Sequence, residues 1–360
     1  MDRYTANLYK FWAILLIVLH NFFNSVEMRP HLGMNEFSFS SNRLLNLFDI
    51  VIHDALSSIH AFFIFFGHYG VQVFVFVSAY GLTKKFSQQD RLGYFRFQLS
   101  RLNKLYLPFL LAMILYVLSL VARIVLYGDV VLDETLWVSL FLKSTLVYNL
   151  VPNEVFSLVG PWWFLSFIFQ FYLIYPFIYK LISGKYIKLA IAIFLLLFIN
   201  EVLLTDFLRE NGLYIKTTVF GQYQVIYFGV IAALIKFTPG LYSLVVSVCM
   251  LVLGNMFEPL WYLSHFFSLI TFLSLVEILR NNLVSFKMPE KLVNYMAAIS
   301  VYLFLVNGFT RAPFNKWAYD SDSPIFTLAM AGVSLSFAVI MAVFLYKVEK
   351  LLRLYYRKYL

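Results

Sequence analysis

The segment Phe11-Trp-Ala-Ile-Leu-Leu-Ile-Val-Leu-His20 is apolar up to its last residue, a histidine. Ionisable groups at membrane depth are rare and mark functional sites by default. Imidazole titrates near neutrality, so it can take a proton from a hydroxyl or briefly carry a transferred group. Lys10 lies ten residues earlier. Ten helical residues rise about 15 Å, and ten steps of about 100° leave the two side chains about 80° apart around the axis. Asn21 and Asn24 extend the stripe they flank. A polar stripe on an apolar helix faces protein or a cavity. The alternative is an interfacial histidine bonded to a neighbouring helix, with Lys10 as a topology anchor.

Other polar groups recur at helical spacing. The run Gly67-His-Tyr-Gly-Val-Gln-Val-Phe-Val-Phe-Val-Ser-Ala-Tyr-Gly-Leu82 carries His68 and Gln72 one turn apart. Its Gly67, Gly70, Ser78, Ala79 and Gly81 suit close helix packing. An expected inner loop from Thr83 to Pro108 carries Lys84, Lys85, Arg91, Arg96, Arg101 and Lys104, of which Arg101 and Lys104, three apart, share a helix face. Guanidinium and ammonium groups in such a cluster suit phosphate, or simply an anionic lipid surface. Trp162 and Trp163 open a later apolar run, as an interfacial aromatic belt requires. His265 lies deep in another run and reads first as helix-to-helix glue. No metal site is expected: HExxH and paired cysteines are missing, and Cys249 is the one cysteine. G-x-S-x-G is missing too, so no serine nucleophile is signalled.

These residues need helices in a membrane to position them. The chain is 61% hydrophobic over 360 residues, with a mean hydropathy of +0.78, which excludes a soluble domain. Apolar runs long enough to cross a bilayer fall at roughly 8–24, 61–82, 105–127, 161–183, 187–204, 218–236, 241–257, 260–279, 293–311 and 325–346. The predicted fold is an all-α, polytopic bundle of about ten transmembrane helices in one domain over 1–360. The stretch 134–150 carries Lys143 and reads as an interfacial or re-entrant helix, with an eleventh span as the alternative. With the N-terminus in the cytoplasm, 20 of the 28 basic residues fall inside and 14 of the 19 acidic ones outside. The positive-inside rule then puts both termini in the cytoplasm. The net charge of +9 is mostly topology, and no nucleic-acid motif accompanies it.

Together the segments resemble acyltransferase family 3, integral membrane enzymes of bacteria that place short acyl groups on envelope glycans. The likeness spans essentially the whole chain. Its carriers are Lys10 to His20; Gly70-Val71, Phe74, Phe76 and Ser78-Ala79-Tyr80-Gly81; Arg96 to Lys104 with Pro108; Trp163-Phe-Leu165, Phe171-Tyr-Leu173 and Pro176; and Ser300-Val-Tyr-Leu-Phe-Leu-Val-Asn307. The chain departs from the family pattern at Lys10 for arginine, Ala79 for glycine, Ile168 and Phe169 for an acidic residue, and Asn307 for histidine.

The resemblance implies an O-acyltransferase in the bacterial cytoplasmic membrane. Acetyl-CoA, or another short acyl-CoA, would dock from the cytoplasm on Lys10, Arg96, Arg101 and Lys104. The acceptor would be a hydroxyl of an envelope polysaccharide, such as lipopolysaccharide, or of a lipid-linked sugar. His20 would act as general base or acyl carrier, and Asn21, His68, Gln72, Ser78 and Trp163 would meet the acceptor. The competing readings are a flippase or a polymerase for lipid-linked glycans. The first lacks clear inverted repeats; the second expects a large charged outer loop.

Overall fold

The computed structural model describes every residue except 27–31, 34, 89–92, 129–131, 283–287, 322 and 360. Among the described residues the chain is helical, without strands. In hydrocarbon every backbone polar group needs a partner within its own segment, and a helix provides one. Seven helical segments have the length and hydropathy to cross a membrane: Arg3–Val26, Ser58–Gln88, Tyr94–Leu126, Gly160–Ser183, Ile187–Glu210, Glu290–Thr310 and Pro324–Tyr355. The three other expected spans are also helices, but weaker candidates. Tyr223–Ile235 and Leu241–Met256 are shorter, and Ser264–Asn282 carries Glu277 and Arg280 near its end.

We number the elements α1 (Arg3–Val26), α2 (Asn42–His53), α3 (Ser58–Phe66), α4 (Gly70–Gln88), α5 (Tyr94–Tyr127), α6 (Glu134–Ser144), α7 (Trp163–Ser183), α8 (Ile187–Glu210), α9 (Tyr223–Ile235), α10 (Leu241–Met256), α11 (Glu258–Trp261), α12 (Ser264–Asn282), α13 (Glu290–Thr310), α14 (Ala312–Ser321) and α15 (Pro324–Tyr359). Of the most apolar 18 residues of each, the segment Ser58–Gln88 buries 72% and forms the centre, whereas α5 and α8 bury 17% and 11% and form the perimeter.

Two asparagine pairs tie α1 to α13. Asn7 Nδ2 donates to Asn294 Oδ1 at 2.8 Å, and Asn21 Nδ2 donates to Asn307 Oδ1 at 3.1 Å. Residue numbers rise together along the seam, so the helices run parallel. Small residues bring the centre together. A Cβ on Gly70 would lie 2.6 Å from the Ala13 carbonyl oxygen, and one on Gly229 would lie 2.6 Å from Ala79 Cβ. The α4–α9 contact therefore favours alanine or smaller at position 79.

Two expectations change. The basic stretch before Pro108 is not a loop, because α5 starts at Tyr94 and runs through Pro108. The 134–150 stretch is not an eleventh span. The 11 residues of α6 reach about 16 Å, half of the roughly 30 Å hydrocarbon core. Lys143 folds this segment back on itself. Its Nζ donates to the carbonyls of Glu154 at 2.5 Å and Val155 at 3.3 Å, and it lies 3.9 Å from the Tyr148 ring centre.

Candidate active site

His20 is 6% exposed and sits where α3 tightens into a 3-10 turn at Gly67–Tyr69. Such turns often mark functional positions. Its Nδ1 contacts the carbonyl oxygens of Phe63 and Ile64, each at 3.1 Å. Carbonyls only accept, so Nδ1 carries the ring proton and Nε2 holds the lone pair. That is the tautomer a base needs.

The backbone contact exists because position 67 has no side chain. A Cβ there would lie 2.6 Å from His20 Cβ and 2.7 Å from the Leu16 carbonyl oxygen. Gly67→Ala should therefore push α1 off the turn, at an overpacking cost of about 1–3 kcal/mol. We expect at least a tenfold fall in turnover and a lower unfolding temperature. Wild-type turnover in this variant would show that the contact does not position the ring.

His20 opens on a small cavity of about 50 Å³, with Asn21, Glu36, Phe37, His68, Gln72, Trp163, Gln222, His265 and Phe304 among its lining residues. The His20 and His68 rings meet edge-on, centres 5.4 Å apart, and His68 Nδ1 is 3.7 Å from Glu36 Oε2. Buried polar atoms normally have partners. Here, among the described residues, both nitrogens of His68 and of His265, Glu36 Oε2, Gln72 Oε1 and Gln222 Oε1 have no hydrogen-bond partner. Unmet donors and acceptors in one cavity are what a polar substrate would satisfy. Burial pushes the Glu36 carboxyl, in the loop after α1, up to about 7.

A second cavity of about 220 Å³ is lined by Lys10, Phe74, Ser78, Arg101, Lys104, Tyr172, Ser300 and Phe304, among others. Arg101 lies 5.2 Å from the Phe97 ring centre and 5.6 Å from that of Tyr172, so aromatic contacts hold the guanidinium. Among the described residues none of Lys10, Arg101 and Lys104 has an acidic partner. Phe304 lines both cavities. Toward the N-terminal end of α1, a third cavity shares Lys10 and Ala297 with the second.

The structure thus sorts the residues expected from sequence. Asn21, His68, Gln72 and Trp163 gather around His20. Ser78 lies apart from them, beside Lys10, Arg101 and Lys104. Arg96 is exposed and lines neither cavity. On α5 it stands five residues before Arg101, about 140° around the helix. Among the described residues neither ring nitrogen of His265 has a hydrogen-bond partner, and its ring meets that of Tyr69 edge-on, centres 6.0 Å apart. Glu36, Gln222 and Phe304 were not singled out from sequence; only their convergence in space distinguishes them.

A family model described as an acyltransferase domain matches residues 3–345. The chain belongs to acyltransferase family 3. No curated protein and no solved structure matches it. The chain is thus a multi-pass membrane acyltransferase, and the family match takes in both cavities of this acyltransferase and the helices that wall them.

A buried ion pair supports the His20 side of the site. Lys216 and Glu201 are 2% and 0% exposed and bonded to each other. Gln224 Nε2 donates to Glu201 Oε2 at 3.3 Å and to the Tyr262 carbonyl at 2.9 Å. Gln222 Nε2 donates to the Lys216 carbonyl at 2.7 Å. Trp261, 5.2 Å from Lys216 Nζ, donates from Nε1 to the Asn35 carbonyl at 2.7 Å. Asn35 Nδ2 in turn donates to the Phe65 carbonyl at 3.2 Å. The ion pair is thereby linked to the loop that carries Glu36.

Proposed function

We propose that the protein moves an acetyl or similarly short acyl group from acyl-CoA to a hydroxyl of a cell-envelope polysaccharide or lipid-linked sugar. It would do so in the bacterial cytoplasmic membrane, with ten spans and both termini inside. The observation that carries the reading is three cations without acidic partners in one cavity, meeting the His20 cavity at Phe304. CoA bears several phosphates, and Arg101 and Lys104 are the groups suited to bind them. Lys10 would sit between the phosphates and the reacting end. The pantetheine arm would extend past Phe304 and present the thioester carbonyl to His20.

In direct transfer, His20 Nε2 takes the proton of the acceptor hydroxyl as its oxygen attacks the thioester carbonyl carbon. The C–S bond breaks, an ester forms, and the sulfur leaves as thiolate. The imidazolium returns the proton to the sulfur, giving free CoA and a neutral imidazole. The Phe63 and Ile64 carbonyls hold the ring's other N–H throughout, and hydrogen bonding to them favours the transient cation. The same ring could instead carry the acyl group between donor and acceptor. Asn21, His68, Gln72 and Trp163 supply polar and aromatic surface for a sugar on the far side of the ring.

The test is binding of the donor. Acetyl-CoA that binds only the folded protein must raise its unfolding temperature. Arg101→Ala or Lys104→Ala should weaken that stabilisation and raise the KM for acetyl-CoA by about tenfold, the usual size of one lost charge-assisted contact, with kcat little changed. Arg96→Ala, outside the cavity, should leave KM alone. No stabilisation of the wild type at saturating acetyl-CoA would reject the reading in favour of a flippase or polymerase.

A further inference from the structure

We propose that His20, His68 and Glu36 form a divalent-cation site suited to Zn²⁺, and that the bound ion competes with the base function of His20. The site itself rests on geometry. One ligand atom from each of the three side chains lies within 4.8 Å of the others. Tetrahedral zinc, with bonds of about 2.0–2.1 Å, needs its ligand atoms about 3.4 Å apart. The Glu36–His68 separation of 3.7 Å is already close, and the other two, within 4.8 Å, would have to close by up to about 1.4 Å to reach that spacing. Two histidines and a carboxylate form a ligand set typical of zinc with one open position.

Three further observations point to a cation. His68 is 6% exposed, yet neither of its nitrogens has a hydrogen-bond partner. Glu36 Oε2 faces it equally unpartnered. A metal-bound histidine usually donates its other N–H to a backbone carbonyl or carboxylate. His20 already donates from Nδ1 to Phe63 and Ile64, which leaves Nε2 for the ion. The cavity of about 50 Å³ has room for the ion and a water, whose share of liquid volume is about 30 Å³. Asn21, Gln72 and Gln222 on its wall can bond that water.

The competition follows from a single lone pair and rests on the proposed role of His20. Nε2 cannot hold Zn²⁺ and accept a hydroxyl proton at once, so the metal-loaded protein should not transfer acyl groups.

The experiment uses purified full-length protein in detergent, stripped with a chelator and titrated with ZnCl₂. Calorimetry should find one Zn²⁺ per chain, and the unfolding temperature should rise, with MgCl₂ producing neither effect. Glu36→Gln and His68→Gln should each weaken Zn²⁺ binding by at least about tenfold; circular dichroism confirms that they fold. Acyl transfer by the wild type should fall at least about tenfold over the concentration range in which calorimetry shows binding, and recover on chelation. No stoichiometric binding, or binding unchanged in both folded variants, overturns the site. Stoichiometric binding with undiminished acyl transfer overturns His20 as the base, while the site stands.

Discussion

His20→Ala should lower kcat for acyl transfer by at least about 100-fold, because a positioned general base contributes roughly 10²–10⁴. The same loss is expected if the ring carries the acyl group, since alanine offers no nucleophile. Binding of the donor should survive. Lys10, Arg101 and Lys104 lie in a separate cavity, so stabilisation by acetyl-CoA should stay within about twofold of wild type in concentration dependence. That combination separates lost chemistry from lost folding. His20→Gln is the companion variant, keeping a polar side chain while removing the basic nitrogen, and it should be equally inactive. Full acyl transfer to glycan in membranes carrying either variant would reject the assignment.

The second large effect concerns stability. Lys216→Met should destabilise the protein by about 3–5 kcal/mol, the usual result of leaving a buried charge without its partner. Glu201 is 0% exposed, and among the described residues its carboxylate would keep neutral partners, Gln224 Nε2 at 3.3 Å and the Tyr223 side chain, but no cation. Replacing both residues, as Glu201→Leu with Lys216→Met, should recover most of the loss, because buried ion pairs are often no better than apolar packing. Thermal unfolding of the two variants beside wild type reads this directly. A single variant as stable as wild type would mean that the pair contributes nothing. The single variant should also impair turnover, since Trp261 near Lys216 holds the Asn35 carbonyl next to Glu36.

Local signals carried the first helix. Lys10, His20 and Asn21 share one continuous span, so helical period alone put them on a polar stripe, and Asn21 indeed meets Asn307 across the α1–α13 seam. Arg101 and Lys104, three apart, were equally legible as one face. Arg96 was grouped with them as part of one basic stretch and by the family resemblance; once α5 continues through the proline, five residues turn it about 140° away from Arg101. Gly67 and Gly70 were read as packing residues, and packing is what puts the turn against His20. The other half of the site is built from distant pieces. Glu36 lies in a connecting loop, Gln222 just before α9 and His265 at the start of α12, and no periodicity relates them. The Glu201–Lys216 pair was hidden for the same reason. Each residue stands at the edge of an apolar run, where a lone charge reads as solvated.

The two asparagine clasps between α1 and α13 bear on how the chain is made. During synthesis α1 enters the bilayer long before α13, exposing Lys10, His20 and Asn21 to whatever surrounds it. The helix that closes both cavities emerges some 290 residues later. Until then a polar surface must be shielded by an insertase, by neighbouring spans or by water. A chain halted before α13 should therefore be a substrate for membrane quality-control proteases, because the helix that houses the polar face of α1 has not yet been made.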